Sequence, residues 1–402
     1  MKLSEFLIQG QRLRQQDRTL AIAYFEQCLQ EPSIAELDAS TIARISLALA
    51  VELIATKQPQ SLQRAQVLIQ QAENCLDKSQ NSDTNHAQKA YLLYVRASLL
   101  LESGELSDVL NILQAAYDAY GNSREGQALT DDAIGQYYLQ VNDVESALAS
   151  FERSLSVRLE IEDECAIATS YAHLGQLYLS SGDINQAASL FQSTLDVALT
   201  TSDNSLRLQA LKGLAKVAIA ENQWQSAIEL AKEAISLLQE PVDTIEIGYL
   251  YCDLAEALLG DQQIENSLIC IRIVALPRFR DYQYLRGIAI AKHLRGRIYT
   301  HRLLNGLDSL DEDAIETVED SLLDASICFE QFGMMSNYAK VLYDLACLYQ
   351  LCSSSQFQYQ YQGKSLRSLE LSLSVLDQLG MSDTKLSAQV EAMLNQVMRG
   401  SF

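Results

Sequence analysis

An all-α fold, a solenoid of stacked helical hairpins, is what this chain predicts, and three observations predict it. One pattern recurs at a constant 40-residue interval: Ile134-Gly135-(x2)-Tyr138, Leu174-Gly175-(x2)-Tyr178 and Leu214-Ala215-(x2)-Ala218, followed in turn by Ala147, Ala187 and Ala227. Self-similarity at a fixed period marks a repeat array. Within each unit the apolar residues follow helical spacing, and a turn divides them into two stretches, neither of which buries its face alone. The prolines Pro32, Pro59, Pro241 and Pro277 are all expected between helical stretches, where a missing amide hydrogen interrupts nothing.

The hairpins can be followed along the chain. Phe6 to Leu29 reads as a first repeat, with Ala21, Phe25 and Cys28 on its second helix; Ala65, Ile69 and Ala72 fit the next second helix. Ala97, Gly104, Leu113 and Ala116 continue the frame. In the unit around Gly175, Tyr171, Leu174, Gly175 and Tyr178 share one helix face, Ser181-Gly182-Asp183 breaks the helix, and Ile184, Ala187, Ala188, Phe191 and Leu195 form the second face. Downstream come Leu254-Ala255 with Leu258 and Ile271, Gly296 with Tyr299, and Leu345-Ala346 with Tyr349. About nine helix pairs cover the chain. The polar runs Lys78–Asn85 and Ser353–Gly363 read as loops, Asn305–Asp313 as a widening of the eighth hairpin, and Leu386, Val390, Met393, Leu394 and Val397 as one closing helix that caps the array.

Tyr171, Leu174, Gly175, Tyr178, Gly182, Ala187 and Phe191 resemble the tetratricopeptide repeat, with Thr194 in place of its final alanine. The preceding unit matches through Ile134, Gly135, Tyr138, Ala147 and Phe151, and the following one through Leu214, Ala215, Ala227, Ala231 and Ala234. The family repeats at about 34 residues, so a longer period resembles the long-helix variety found in bacterial regulators, including maltose-type transcription activators and Rap-type response-regulator phosphatases. The resemblance implies a right-handed superhelix whose first helices line a concave face. It divides the chain into divergent repeats over 1–120, a well-matched core over 121–280, divergent repeats with insertions over 281–380, and a capping helix and tail over 381–402.

Charge and motif content narrow the functional classes. A formal charge of −22 repels phosphodiester backbones, so no nucleic-acid partner is expected. No apolar run reaches bilayer-spanning length, no signal-peptide core opens the chain, and the eight cysteines form no disulfide-like spacing; a cytoplasmic protein with no membrane partner is expected. His293 and His301 would lie about 12 Å apart along a helix, too far to share a zinc ion. No nucleophile elbow, phosphate loop, zinc-protease helix or kinase signature is present, so no metal, cofactor or enzymatic activity is expected.

The resemblance implies ligand contacts at the second, fifth, ninth, twelfth and thirteenth positions of each repeat, of which the fifth and ninth are carried over here. In this chain those are Asp132 and Gln136, Ala172 and Gln176, Lys212 and Lys216, Cys252 and Glu256. Lys212 and Lys216, one turn apart, suit a peptide carboxylate, although the asparagines that complete the family's clamp are absent. A second anomaly is electrostatic: Arg272 to Arg302 holds eight cations against Asp281, and Leu303 to Gly333 holds nine acids and no base. Two readings stay open. Either the acidic arm folds back on the basic helix, or Lys292, His293 and Arg297 face the groove and take an acidic or phosphorylated segment. The function expected is a scaffold or adaptor that binds a protein or peptide. The alternatives are a Rap-like regulator of a response regulator and a sensory module serving a separate effector enzyme.

Overall fold

The computed structural model of the protein describes residues 3–30, 38–78, 82–238, 244–353, 358–382 and 384–399. It divides into two compact units, Met1–Asp243 and Thr244–Phe402. Unit 1 holds α1 (Leu3–Gln16), α2 (Arg18–Gln30), α3 (Ala39–Ala55), α4 (Pro59–Lys78), α5 (Ser82–Ser103), α6 (Val109–Tyr120), α7 (Arg124–Gln140), α8 (Val144–Ile161), α9 (Glu164–Ser181), α10 (Ile184–Thr201), α11 (Asn204–Ala220) and α12 (Trp224–Ser236). Unit 2 holds α13 (Thr244–Gly260), α14 (Ile264–Ile269) continued through a π-helical turn Cys270–Ala275 into α15 (Leu276–Asp281), α16 (Leu285–Leu304), α17 (Glu312–Gln331), α18 (Met335–Ser353), α19 (Gln358–Gln378) and α20 (Lys385–Arg399). Among the described residues these make nine hairpins and one closing helix, as the 40-residue frame predicts. Each first helix packs on its own second helix and, over most of each unit, on the next first helix, which is how successive repeats cover each other's apolar faces.

The recurring residues have identifiable packing roles. A Cβ added to Gly135 would lie 2.6 Å from the ring of Phe151, and one added to Gly175 would lie 3.0 Å from Phe191. The Leu-Gly pair therefore exists to admit a phenylalanine sixteen positions later, and both rings are fully buried. Burying such a ring contributes about 1.5–3 kcal/mol. Where the ring is replaced by Ala231, the glycine position is Ala215, and both alanines have no exposed surface. The departure at Thr194 also has a reason: its buried hydroxyl donates to the carbonyls of Leu190 at 2.9 Å and Ala168 at 3.3 Å, tying α10 to α9. One period earlier Ser154 does the same to Ala128 at 2.9 Å.

Three expectations are corrected. Pro59 opens α4, but Pro277 does not lie between helices: it sits in the continuous second helix of the seventh hairpin, just after the π-helical turn. The wider turn accommodates a ring that would clash with the carbonyl four residues back; Pro32 and Pro241 lie outside the described residues. The run Lys78–Asn85 is mostly helical, since α4 extends to Lys78 and α5 begins at Ser82, with 79–81 outside the described residues. Of Ser353–Gly363, residues 358–363 are helical and 354–357 lie outside the description. There Tyr361 is buried and stacks on Tyr349 at 5.8 Å, which anchors the start of α19. The widening of the eighth hairpin is present and ends where the Asp311 side chain caps α17. The closing helix α20 packs on α19 and α18 and buries Val390 and Val397.

Candidate functional site

Unit 1 encloses a cavity of about 770 Å³. Its wall is built from the first helices α1, α3, α5, α7, α9 and α11, with the ends of α2, α6 and α8. The wall closes on itself, because α1 packs on both α3 and α11 and Asn204 Nδ2 donates to the Gln16 carbonyl at 3.5 Å. Side chains on the inner face of consecutive first helices thus converge on one volume, large enough for a short stretch of polypeptide.

At one end stands Asp132, 5% exposed. Its Oδ2 forms an ion pair with Arg158 and faces His173 Nδ1 at 3.5 Å. Arg158, itself buried, is fixed by donating to the Ala166 carbonyl at 3.0 Å and Ser170 Oγ at 2.7 Å. His173 Nε2 lies 3.3 Å from Gln136 Nε2, and its ring packs 5.5 Å from Phe151. Burial by itself would raise the Asp132 carboxyl; His173 and Arg158 outweigh it and hold the group below the usual carboxylate range. Asp132 Oδ1 and His173 Nδ1 are buried with no hydrogen-bond partner. An acceptor in that state costs about 1–3 kcal/mol unless something donates to it.

The other end is cationic and aromatic. Arg18 and Arg14 lie 3.4 and 4.0 Å from the buried Glu52, whose carboxyl burial pushes up against their pull. Arg44 stands 3.7 Å over the Tyr91 ring, and Tyr91 stacks on Tyr94 at 5.9 Å. Burial drives the Tyr94 hydroxyl up to about 12, so it stays a neutral donor across physiological pH. Two arginines, Arg14 and Arg18, face Glu52 here, and Arg44 lines the same cavity over Tyr91.

The residues singled out from sequence separate into groups. Asp132 and Gln136 line the cavity; Gln176 is exposed, and Lys212 and Lys216 are half-buried on α11, all three outside its wall. In unit 2, Glu256 accepts from Arg297 at 2.7 Å, Arg297 Nε lies 3.8 Å from Asp344, and Asp344 meets His293 Nε2 at 2.6 Å, a network across the first helices α13, α16 and α18. Burial would raise the Glu256 carboxyl, but Arg297 reverses the effect and leaves it lowered. Lys292 instead reaches the second helix, pairing with Asp324 at 2.7 Å, and Arg302 is held bidentately by Asp308. Part of the acidic arm therefore folds back on the basic helix, and Arg297 is neutralised by acids from outside that arm.

Arg158, His173, Tyr91, Tyr94 and the three arginines of α1 to α3 are absent from the sequence-based set. Arg158 was reachable: it follows Asp132 by 26 positions, the same offset that joins Ser154 to Ala128 and Thr194 to Ala168. The α1 to α5 residues carry no repeat motif strong enough to place them in register. Among the described residues no group of histidine, cysteine and acid side chains is disposed to hold a metal ion. None of the described helices is long and apolar enough to cross a membrane.

Residues 125–200 and 166–240 match the family model described as tetratricopeptide repeat. Lipopolysaccharide assembly protein B of Escherichia coli (strain K12) is 21% identical over 145 residues, which is 35% of this chain and 35% of that protein. The match thus spans about a third of the relative's length. Among solved structures, a Rap protein complexed with Competence and Sporulation Factor superposes with a TM-score of 0.59 at 13% identity, covering 90% of this chain and 98% of that one. The apo form of RapI gives a TM-score of 0.53 at 10% identity over 71% of this chain and 99% of that one. A STAND protein with a tetratricopeptide repeat sensor from Pyrococcus horikoshii gives 0.52 at 12% identity over 88% of this chain and 49% of that one. With the glycine and aromatic positions of the repeat explained by packing, residues 125–240 are tetratricopeptide repeats, and the chain is structurally similar to the Rap proteins.

Proposed function

We propose that the chain is a binding module that takes a peptide, or an extended segment of a partner protein, into the cavity of unit 1. The observation that carries this is the cavity itself, walled by consecutive first helices and holding a buried carboxylate oxygen with no donor. Asp132 Oδ1 would accept a backbone or side-chain N–H, Gln136 offers the complementary amide, and Arg14, Arg18 and Arg44 provide for an anionic group. The mixed polarity suits a polypeptide, whose backbone presents donors and acceptors along its length. The Rap structure in complex with Competence and Sporulation Factor supports the reading by analogy of fold.

The test is an array of short peptides probed with the full chain, followed by anisotropy titration of the best binder. A Kd on the order of 1–100 µM is expected, weakened about tenfold or more by Gln136→Trp, which fills the cavity, and unchanged by Lys216→Glu on α11. Equal affinity for Gln136→Trp, or no binder at all, would overturn the assignment. A second reading, a regulator acting on a response regulator, rests on the 0.59 superposition with a Rap protein. Unchanged dephosphorylation of a phosphorylated receiver domain in the presence of the chain would remove it.

A further inference from the structure

Unit 2 exposes two apolar stripes of opposite charge on successive second helices. On the continuous helix Ile264–Asp281, Ile269 and Ile273 are 54% and 67% exposed, and Arg272 and Arg280 are exposed beside them. On α17, Leu323 and Ile327 are 39% and 52% exposed, flanked by exposed Glu316, Asp320 and Glu330. Both helices pack on α16 through their opposite faces, where Leu268, Ile271, Leu322 and Ala325 are buried. Isolated exposed apolar side chains are ordinary; two helical i, i+4 pairs on successive second helices are not, the one on α17 edged by acids and the other by Arg272 and Arg280, with Glu265 one turn before Ile269 paired to Arg302. Asp324 is occupied by Lys292. Among the described residues Arg272, Arg280, Glu316 and Asp320 have no ion-pair partner.

We propose that this face binds a second copy of the chain in a two-fold symmetric dimer. The Ile269–Arg272–Ile273 stripe of one protomer lies on the Leu323–Ile327 stripe of the other, and the reverse contact forms by symmetry. The charge pattern argues for this occupant. A foreign acidic helix would satisfy the basic stripe and leave Leu323 and Ile327 in water, whereas a second copy covers both stripes at once and closes the assembly. Two chains of charge −22 repel each other over most of their surface, so the basic stripe is where close approach is favourable. The two helices have 18 and 20 residues, about 27 and 30 Å, a scale that suits an interface of about 800 Å² per protomer.

The experiment is sedimentation equilibrium of the full chain from about 1 to about 100 µM, at low and high salt, a range that resolves micromolar association. The expected mass is twice 44.7 kDa, with dissociation favoured as salt rises. Ile273→Glu, which sets a carboxylate against the acidic stripe, should raise the dissociation constant about a hundredfold, and Ile273→Lys distinctly less. Ile327→Lys should act like Ile273→Glu, while Val67→Glu in unit 1 should change nothing. Circular dichroism of each variant checks that these exposed substitutions leave the helices formed. A wild-type protein that stays monomeric throughout overturns the proposal and leaves the basic stripe to a foreign acidic helix. A dimer indifferent to both Ile273→Glu and Ile327→Lys overturns it as well, because the contact then lies elsewhere.

Discussion

Asp132 is held by packing and, in the binding role proposed for the cavity, would also serve recognition. Its Oδ2 is neutralised by Arg158 and faces His173, and its Oδ1 is buried with no hydrogen-bond partner. Removing the charge strands Arg158 in a buried setting, so Asp132→Asn should cost about 3–5 kcal/mol at neutral pH, read by urea denaturation. The folded carboxyl titrates below the unfolded value of about 3.9. Its contribution is therefore present above that value and lost as pH falls through the folded one, so the gap between wild type and Asp132→Asn should narrow below about pH 4. Asp131 next to it is raised by burial against the pull of Arg153; its effect has the opposite sign, falls above the unfolded value, and is present in both proteins. A second residue-scale prediction concerns Gly135. Contact of a new Cβ with Phe151 at 2.6 Å should make Gly135→Ala destabilising by about 1–2 kcal/mol, despite the better helix propensity of alanine. In a Phe151→Ala background the same change should become stabilising by about 1 kcal/mol, reproducing the Ala215/Ala231 pair already present in the chain.

Between residues and units lies a period finer than the 40-residue motif. Ser123, Asp143, Asp163, Asp183 and Asp203 stand 20 apart, and each side chain accepts an amide of the first turn of α7, α8, α9, α10 or α11. One position before Asp143, Asp163, Asp183, Asp203 and Gln223, the residues Asn142, Glu162, Gly182, Ser202 and Asn222 all take positive φ, the left-handed residue that ends the preceding helix. Every hairpin in this stretch is thus two near-equal halves, each started by a cap and stopped by a left-handed residue. Asp183→Ala should cost about 1 kcal/mol. Ser202→Gly, relieving the backbone at φ 55, should gain about 1 kcal/mol, and thermal melts of the two variants should shift in opposite directions. The caps are written openly in the sequence, which is why the alternation of helix and turn over 124–220 is legible there. Pro277 was not legible in the same way, since a π-helical turn depends on how the surrounding helices hold the chain and not on a local code.

For the whole molecule, repetition explains both what the sequence reveals and what it withholds. The frame of nine hairpins and a closing helix follows from spacing alone, because each repeat must bury its face against the next. Asp132 and Gln136 line the cavity, yet Lys212 and Lys216 at the same repeat positions two hairpins along do not, because the wall closes from α1 onto the start of α11 before it reaches them. A closure between α1 and α11, nearly 190 residues apart, has no local signature. Charge patterning in unit 2 was visible as a run of bases followed by a run of acids, but only the fold separates the cations paired inside it from those left outside. The most direct test of the binding assignment is amide hydrogen exchange of the full chain with and without a peptide chosen from the array. Protection concentrated on the first helices α5, α7 and α9 would agree with a ligand held in the cavity; protection confined to the second helices α6, α8 and α10, or to unit 2, would contradict it.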